Sequence, residues 1–160
     1  MIEAITAETL KNTALGLEMD MQECAIVAGV CAQRTVPSGE VLFNEGDSDN
    51  ELFIIIEGRL AVSRSTSGYT NVLHILNPGD LAGESGFLDG KPHSATLRAM
   101  GETTVLCLHR ERLESLMNEH PHLVYAVMRA IIRSIRETIR RMNSQCQQMS
   151  NYISQFGGRY

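Results

Sequence analysis

The sequence has no apolar run that approaches the roughly 20 residues a membrane-spanning helix needs. Its start, MIEAITAETLKN, is acidic and contains no apolar core segment, so we expect no signal peptide. Cysteine is scarce, with four in 160 residues, which argues against a disulfide scaffold and favours reduced thiols in the cytoplasm. With 43% apolar and 21% charged residues, the chain is instead typical of one folded domain with a substantial core.

The charge is distributed unevenly along the chain. Residues 1–121 carry 8 lysine and arginine residues against 18 aspartate and glutamate residues, a net charge of −10. Residues 122–160 carry six arginines against Glu137, a net charge of +5. Because an acidic body repels the phosphates of a nucleic acid, we expect no direct DNA binding by this chain. Only the C-terminal segment can attract an anionic partner.

Three regions of the chain differ in their periodicity. Residues 1–33 are predicted to be helical, with Asp20 and Glu23 spaced as a capping box ahead of an apolar run. Residues 36–110 alternate glycine-containing turns with short β-rich runs, which is typical of an all-β sandwich or roll. The predicted strands are VLF (41–43), LFIIIE (52–57), RLAVSR (59–64), TNVLHIL (70–76), SATLRA (94–99) and TVLCLH (104–109).

The C-terminal region is predicted to form two helices. Residues 110–120 fit a short amphipathic helix, and Pro121 then breaks or kinks the chain and can occupy the first turn of the next helix. No glycine or proline follows until after Phe156. Apolar residues along this long helix alternate in spacings of three and four, and they form one unbroken seam: Ile132, Ile135, Ile139, Met142, Cys146, Met149, Ile153 and Phe156.

This seam has the a/d pattern of a helix that pairs with a second helix. The segment is about 50 Å long at 1.5 Å per residue, which is more than a small β domain can cover. We therefore expect a homodimer formed through a coiled coil of the two long helices. The alternative is a single helix laid along its own domain. Ile131 lies beside the seam and can pack back on the β domain instead.

Four motifs follow one another in a specific order. They are GEVLFNEGD (39–47), LFIIIEGRLAV (52–62), LNPGDLAGESGFLDGKPHSATLRA (76–99) and VLCLHRERLESLMNEHP (105–121). Together they resemble the cyclic nucleotide-binding domain, in particular the effector half of the catabolite activator and fumarate–nitrate regulator (Crp/Fnr-like) family. The resemblance implies a mainly β fold, a jelly roll over residues 1–121 with flanking helices. The dimerisation helix, residues 122–156, belongs to the same module.

The resemblance also implies a phosphate-binding cassette at residues 83–95. A cyclic phosphate needs backbone N–H donors and a fixed cation, and Gly83 and Gly86 let the backbone come close. By the resemblance, Glu84 accepts a hydrogen bond from the ribose 2′-hydroxyl, and Ser94 and Ala95 face the phosphate. A threonine on the long helix contacts the base. The expected ligand-binding residues are Gly83, Glu84, Ser85, His93, Ser94, Ala95 and Thr138.

His93 departs from the family motif, which has arginine directly before the Ser-Ala pair. An arginine is always charged and can hold two phosphate oxygens at once, whereas a histidine gives one donor at a time and is mostly neutral at pH 7. Losing a bidentate charged contact costs about 2–4 kcal/mol of binding free energy. Lys91 can supply a cation if its stem folds back. Arg98 matches a strand residue that is common in the family, so we do not assign it as a substitute.

The end of the chain is the second departure, because transcription factors of the family continue into a winged helix-turn-helix. Here four residues, GGRY, follow Phe156, so we expect no recognition helix. The four cysteines are too scattered for an iron–sulfur cluster and are interpreted as buried thiols. An interchain disulfide at Cys146 is disfavoured in a reducing cytosol. His74 and the pair His120 and His122 are interpreted as surface histidines, and we predict no metal site and no enzyme activity.

The sequence predicts a stand-alone regulatory module in the cytoplasm. It binds a cyclic nucleotide such as cAMP or cGMP, or a related small anion, and signals to a partner protein. No other cofactor is expected. The alternative is a degenerate cyclic nucleotide-binding fold that binds no nucleotide and acts as a dimeric interaction scaffold. A heme or redox sensor is the third hypothesis.

Overall fold

The computed structural model describes residues 6–157 of the chain, so the first five residues of the predicted helical region lie outside the described part. The helices are α1 (Ala7–Lys11), a 3-10 turn (Gly16–Glu18), α2 (Met21–Val30), α3 (Glu84–Asp89), α4 (Arg110–Glu114) and α5 (Pro121–Gly157). The strands are β1 (Ala32–Val36), β2 (Val41–Phe43), β3 (Glu51–Glu57), β4 (Leu60–Thr66), β5 (Tyr69–Leu76), β6 (Leu81–Ala82), β7 (Thr96–Ala99) and β8 (Thr103–His109).

Two four-stranded antiparallel sheets form a jelly roll, as predicted. The inner sheet has the strand order β1-β8-β3-β6, and the outer sheet has the order β2-β7-β4-β5. The inner sheet is covered on both faces, which explains the uninterrupted apolar run of β3. Leu52 and Ile54 pack with the helices, whereas Phe53 and Ile55 point to the outer sheet. Each such buried side chain contributes about 1.5–3 kcal/mol.

The N-terminal region follows the prediction only in part. The capping box is confirmed, because the Asp20 carboxylate accepts from the Glu23 backbone N–H at 2.8 Å and the Glu23 carboxylate accepts from the Asp20 N–H at 2.9 Å. The helical prediction to residue 33 is wrong at its end, since α2 stops at Val30 and β1 begins at Ala32. Residues of β1 pair with β8 from Ala32 opposite Cys107 onwards, so pairing with a distant strand overrides the local helical pattern.

Helix α5 begins at Pro121, as the sequence predicts, and runs for 37 residues. Its first half packs on the domain through a stripe of buried residues with helical spacing, namely Leu123, Val127, Ala130 and Ile131. The carboxylate of Glu18 adds ion pairs with Arg129, at 3.2 Å, and with Arg133. From Ile139 to Gly157 every residue is exposed, so the second half of the helix leaves its own domain.

One prediction for the C-terminal region needs correction, because the helix expected over residues 110–120 ends at Glu114 and continues as turns. Ile135, which belongs to the predicted dimer seam, is half-buried in the single chain and packs against the core that the helices share with the inner sheet. It follows the buried Ile131 by four positions and therefore lies on the same face of α5. Ile131 is fully buried, which confirms that it packs back on the domain.

Candidate ligand-binding site

Glycines bound helix α3 at both ends, and both have a backbone conformation that other residues rarely adopt. Gly83 precedes the helix with φ of 81°, and Gly90 follows it with φ of 69°, both in the left-handed region. A Cβ atom on Gly83 would lie 2.8 Å from the carbonyl oxygen of Glu51. A Cβ atom on Gly86 would lie 2.8 Å from the carbonyl oxygen of Asp49. These contacts seat α3 directly on the start of β3.

A cavity of about 160 Å³ opens between α3, the outer sheet and α5. The structure brings together at this cavity all seven residues that the sequence predicts as ligand-binding: Gly83, Glu84, Ser85, His93, Ser94, Ala95 and Thr138. They lie on helices α3 and α5 and in the loops that flank α3, and the first and last are 55 positions apart in the sequence. The remaining lining residues are Phe43, Val62, His74, Leu76, Leu81, Ala82 and Leu97, most of them apolar.

Glu84 starts helix α3 and points towards α5. The hydroxyl of Ser134 donates a hydrogen bond to Oε1 of Glu84 at 3.1 Å. Burial raises the pKa of the Glu84 carboxyl, while hydrogen bonds from its backbone and from Ser134 act in the opposite direction. One oxygen of the carboxylate therefore already accepts a hydrogen bond from Ser134 on α5. Its remaining acceptor positions are available to a hydroxyl group inside the cavity.

His93 is not a solvated loop residue, since only 4% of its surface is exposed. Its Nε2 lies 2.7 Å from Oδ2 of Asp49, and its ring stacks on Phe43 with centroids 3.6 Å apart and planes 16° from parallel. The backbone fixes the same loop, because the His93 N–H donates to the Asp47 carbonyl and the Gly46 N–H donates to the His93 carbonyl, both at 2.8 Å. The imidazole is thus held rigidly at the cavity wall.

The lysine and the arginine nearest the cassette, Lys91 and Arg98, do not line the cavity. Lys91 is largely exposed and lies 4.0 Å from the carboxylate of Asp89. Arg98 donates from Nη1 to the Gly39 carbonyl at 2.5 Å. Among residues 6–157, no lysine or arginine lines the cavity. Any cationic side-chain contact with a phosphate there would have to come from a histidine.

His74 also lines the cavity, although its sequence context suggested a surface residue. It lies on β5, is half-buried, and has a pKa lowered by burial first and by Arg141 second, with Asp80 acting in the opposite direction. Asp49, which holds His93, was likewise missed. No local pattern indicates the pairing of Asp49 with His93, because the two residues are 44 positions apart and meet only in the folded chain.

The predicted dimer seam lies mostly in solvent in the single chain. Ile132, Ile139, Met142, Met149 and Ile153 are between 51% and 68% exposed. Phe156 is 65% exposed, and the thiol-bearing Cys146 is exposed as well. Apart from Ile135, the seam therefore forms an apolar stripe that the domain leaves uncovered. Its role as an interface stays a prediction.

The remaining thiols and histidines form no second centre in the described part of the chain. Burial raises the pKa of Cys31 and of Cys107 to about 12 each, so these thiols are protonated at neutral pH and unreactive. Within residues 6–157, no group of three or more histidine, cysteine, aspartate or glutamate side chains converges as a metal site would. No helix over the same residues is long and apolar enough to cross a bilayer.

Two bacterial regulators are similar to this chain in sequence. A CRP-like cAMP-activated global transcriptional regulator of Mycobacterium tuberculosis is 29% identical over 103 residues, which are 64% of this chain and 46% of that protein. The cyclic AMP receptor protein of Thermus thermophilus is 27% identical over 129 residues, 80% of this chain and 60% of that protein. The chain spans about half the length of these curated relatives.

Solved structures show the same fold. The N-terminal domain of a transcriptional regulator from Streptomyces coelicolor is 30% identical, with a TM-score of 0.72, and the match covers 84% of this chain and 94% of that one. A cyclic nucleotide-binding domain from Methylobacillus flagellatus superposes with a TM-score of 0.82 at 18% identity over 89% of this chain and 85% of that one, which shows the fold alone. The family model described as cyclic nucleotide-binding domain matches residues 33–120. This chain belongs to the cyclic nucleotide-binding domain family and has Crp-like relatives.

Proposed function

We propose that this chain is a regulatory module that binds a cyclic nucleotide, or a related small anion, in the cavity under α3 and signals to a partner protein. The observation that carries the proposal is the convergence of Gly83, Glu84, Ser94, Ala95 and Thr138 on one cavity. Glu84 can accept from a ribose hydroxyl, and small residues leave backbone N–H groups accessible to a phosphate. The named bacterial relatives are regulators rather than enzymes, and we propose no catalytic step.

The proposed experiment is calorimetric titration of the purified chain with cAMP and cGMP at pH 6. We expect binding, weaker binding of the 2′-deoxy analogue, and a loss of roughly tenfold or more in the Glu84→Ala variant, because the ribose loses a charge-assisted hydrogen bond. Asp89→Ala is the matched control, since Asp89 lies on the same short helix, is exposed, and is outside the cavity lining. Undiminished affinity of Glu84→Ala would exclude this binding mode.

We further propose that the module is a homodimer through α5. The exposed stripe from Ile132 to Phe156 supports this, because a helix of about 55 Å extends well beyond the domain that covers its first half. Three of the four a positions of the seam hold isoleucine, namely Ile132, Ile139 and Ile153, and isoleucine at a favours pairing of two parallel helices in a coiled coil. All four cysteines are free thiols, which fits a reducing compartment such as the cytoplasm.

A second function is favoured by the state of His93. The one cationic candidate of the phosphate site is already bonded to Asp49, and the described cavity lining has no lysine or arginine. A cavity of this kind suits a degenerate binding fold that serves as a dimeric interaction scaffold. The same titration separates the two functions, since a scaffold shows no heat of nucleotide binding.

A further inference from the structure

The first half of α5 carries a shallow groove that is rich in arginine. The groove measures about 240 Å³ and is lined by Arg129, Ile132, Arg133 and Arg136. None of these four residues lines the ligand cavity, so the groove is a separate surface of the same helix. We call it the arginine groove.

The carboxylate of Glu18 neutralises only part of the charge in the arginine groove. Its Oε1 lies 3.2 Å from Nη2 of Arg129 and also contacts Nη2 of Arg133. In the part of the chain that the structure describes, Arg136 forms no ion pair. Three positive charges against one negative charge leave an excess of two, which attracts further carboxylates.

Two of the arginines are held in place and keep donors for a second carboxylate. Arg129 and Arg133 each reach Glu18 through one terminal nitrogen, whereas a guanidinium has five N–H donors. Arg129 also lies over the ring of Tyr125, with its guanidinium carbon 5.7 Å from the ring centroid. A fixed guanidinium can hold a carboxylate through two parallel hydrogen bonds.

A second copy of α5 does not supply the missing negative charge. In the heptad register of the seam, Arg129 and Arg136 occupy e positions, which flank a coiled-coil seam and commonly pair with g residues of the other helix. The g positions 124, 131 and 138 hold valine, isoleucine and threonine. None of these side chains is charged, so the arginine groove keeps its excess charge in the proposed homodimer.

The surroundings favour an acidic peptide over a nucleic acid as the occupant. Residues 1–121 have a net charge of −10, so a long polyanion that follows α5 meets a repelling body. Tyr125 and Ile132 are 63% and 62% exposed and lie one turn before and after Arg129, so apolar surface borders the cations. A peptide offers apolar side chains next to its carboxylates, which a phosphate backbone does not.

The spacing of the arginines sets the spacing of the carboxylates that they can bind. Arg129 and Arg136 are seven positions apart, which is about 10 Å along a helix axis. Two carboxylates three positions apart in an extended peptide span about the same distance, at about 3.3 Å per residue. One extended segment can therefore contact both ends of the groove.

We propose that the arginine groove binds a short acidic segment of the partner protein, with carboxylates at Arg129 and Arg136. The proposal rests on the part of the proposed function that concerns a partner protein, and it specifies the chemistry of that partner. The groove is close to the ligand cavity along α5, because Ser134, which donates to Glu84, and Thr138, which lines the cavity, are each two positions from Arg136. A displacement of α5 at the cavity therefore also moves the groove.

The experiment measures the binding of two fluorescein-labelled octapeptides by fluorescence anisotropy at low salt. One peptide has two glutamates three positions apart with a leucine between them, and the other has glutamine in place of both glutamates. The variants are Arg136→Gln and Arg136→Glu. Arg59→Glu is the matched control, because it changes the net charge equally at an exposed position outside the groove.

We expect the wild type to bind the glutamate peptide roughly fivefold or more tightly than the glutamine peptide. Arg136→Gln should lose affinity by up to about fivefold, which is the range for one exposed ion pair. Arg136→Glu should lose up to about 25-fold, because charge reversal adds a repulsion of similar size. Arg59→Glu should change the affinity less than about twofold, and added salt should weaken binding of the glutamate peptide.

Equal binding of the two peptides, or equal affinity of the wild type and Arg136→Glu, overturns the inference. A loss in Arg136→Glu that is accompanied by a change in sedimentation assigns Arg136 to helix pairing and also overturns it. Tighter binding of a thymidine octanucleotide than of the glutamate peptide assigns the groove to a nucleic acid instead. The calorimetric titration with cAMP tests the cavity separately, so failure of peptide binding and failure of nucleotide binding are distinguished.

Discussion

The contact between His93 and Asp49 predicts that the cavity is short of a charged donor for a phosphate. One ring nitrogen, Nε2, is committed to the Asp49 carboxylate at 2.7 Å. At most one ring nitrogen is then left for a ligand, whereas an arginine is always charged and can hold two phosphate oxygens at once. Replacing His93 with arginine, the residue that the family motif has at this position, should therefore raise the affinity for cAMP.

The structure limits the size of this effect. A hydrogen bond between charged groups contributes roughly 1.5–3 kcal/mol, which corresponds to roughly 10- to 150-fold in affinity. The His93 side chain is 3% exposed, so solvent screens interactions at this position little. The Asp49 side chain is 28% exposed, and water partly screens its charge. We therefore expect the gain in affinity of His93→Arg to fall in the lower half of that range.

The assay is calorimetric titration of cAMP with the wild type, His93→Arg and the control Asp89→Ala. His93→Arg should bind more tightly, because arginine supplies a permanent charge and two parallel donors to the phosphate. Asp89→Ala changes an exposed residue outside the cavity lining and should leave the affinity unchanged. An affinity of His93→Arg equal to or below that of the wild type would refute the reasoning. The phosphate would then be held by backbone amides of the cassette.

Two further predictions concern α5 and the carboxylate it contacts. The double variant Ile139→Glu, Met142→Glu should sediment as a monomer at tens of micromolar, because two charges would enter an apolar seam. The control Ile131→Ala removes a buried side chain outside the seam and should instead lower monomer stability by about 2–4 kcal/mol. A wild type that is itself monomeric at this concentration would contradict the dimer. Glu84→Gln should raise the melting temperature at pH 7 by roughly 3 °C, since burial raises the carboxyl's pKa and the charged form costs folding free energy above that pKa. This difference should shrink as the pH falls through the folded pKa and the wild-type carboxyl becomes neutral, and thermal melts at several pH values measure it.

The elements that could be predicted from the sequence are those that depend on residues close together in the chain. The capping box of Asp20 and Glu23 and the start of α5 at Pro121 each depend on residues within one helical turn. The strands of the outer sheet follow from turns and β-rich runs. Strands β1 and β6 were missed because neither has a pattern of its own, and each is formed by pairing with a distant strand, β8 or β3.

The candidate site shows the same division between local and distant interactions. Motif resemblance was sufficient to predict the residues at the α3 end of the cavity, because they are close in sequence. The partner of His93 could not be predicted, since Asp49 lies in the loop before β3 and reaches the imidazole only after the sheets close. His74 was missed for a related reason. Its place in the cavity depends on a β-bulge, and a one-residue irregularity in strand pairing leaves no mark in the composition of β5.

Helix α5 takes part in two surfaces at once, and this has a thermodynamic consequence. Ser134 donates to the cavity residue Glu84 and Thr138 lines the cavity, whereas Ile139 and Met142, within the next turn, belong to the exposed stripe. If occupancy of the cavity changes the self-association constant by some factor, then self-association changes nucleotide affinity by the same factor, because linkage is reciprocal. Protein concentration then acts as an effector in its own right, and a dissociation constant for nucleotide is defined only together with the concentration of chain at which it was measured.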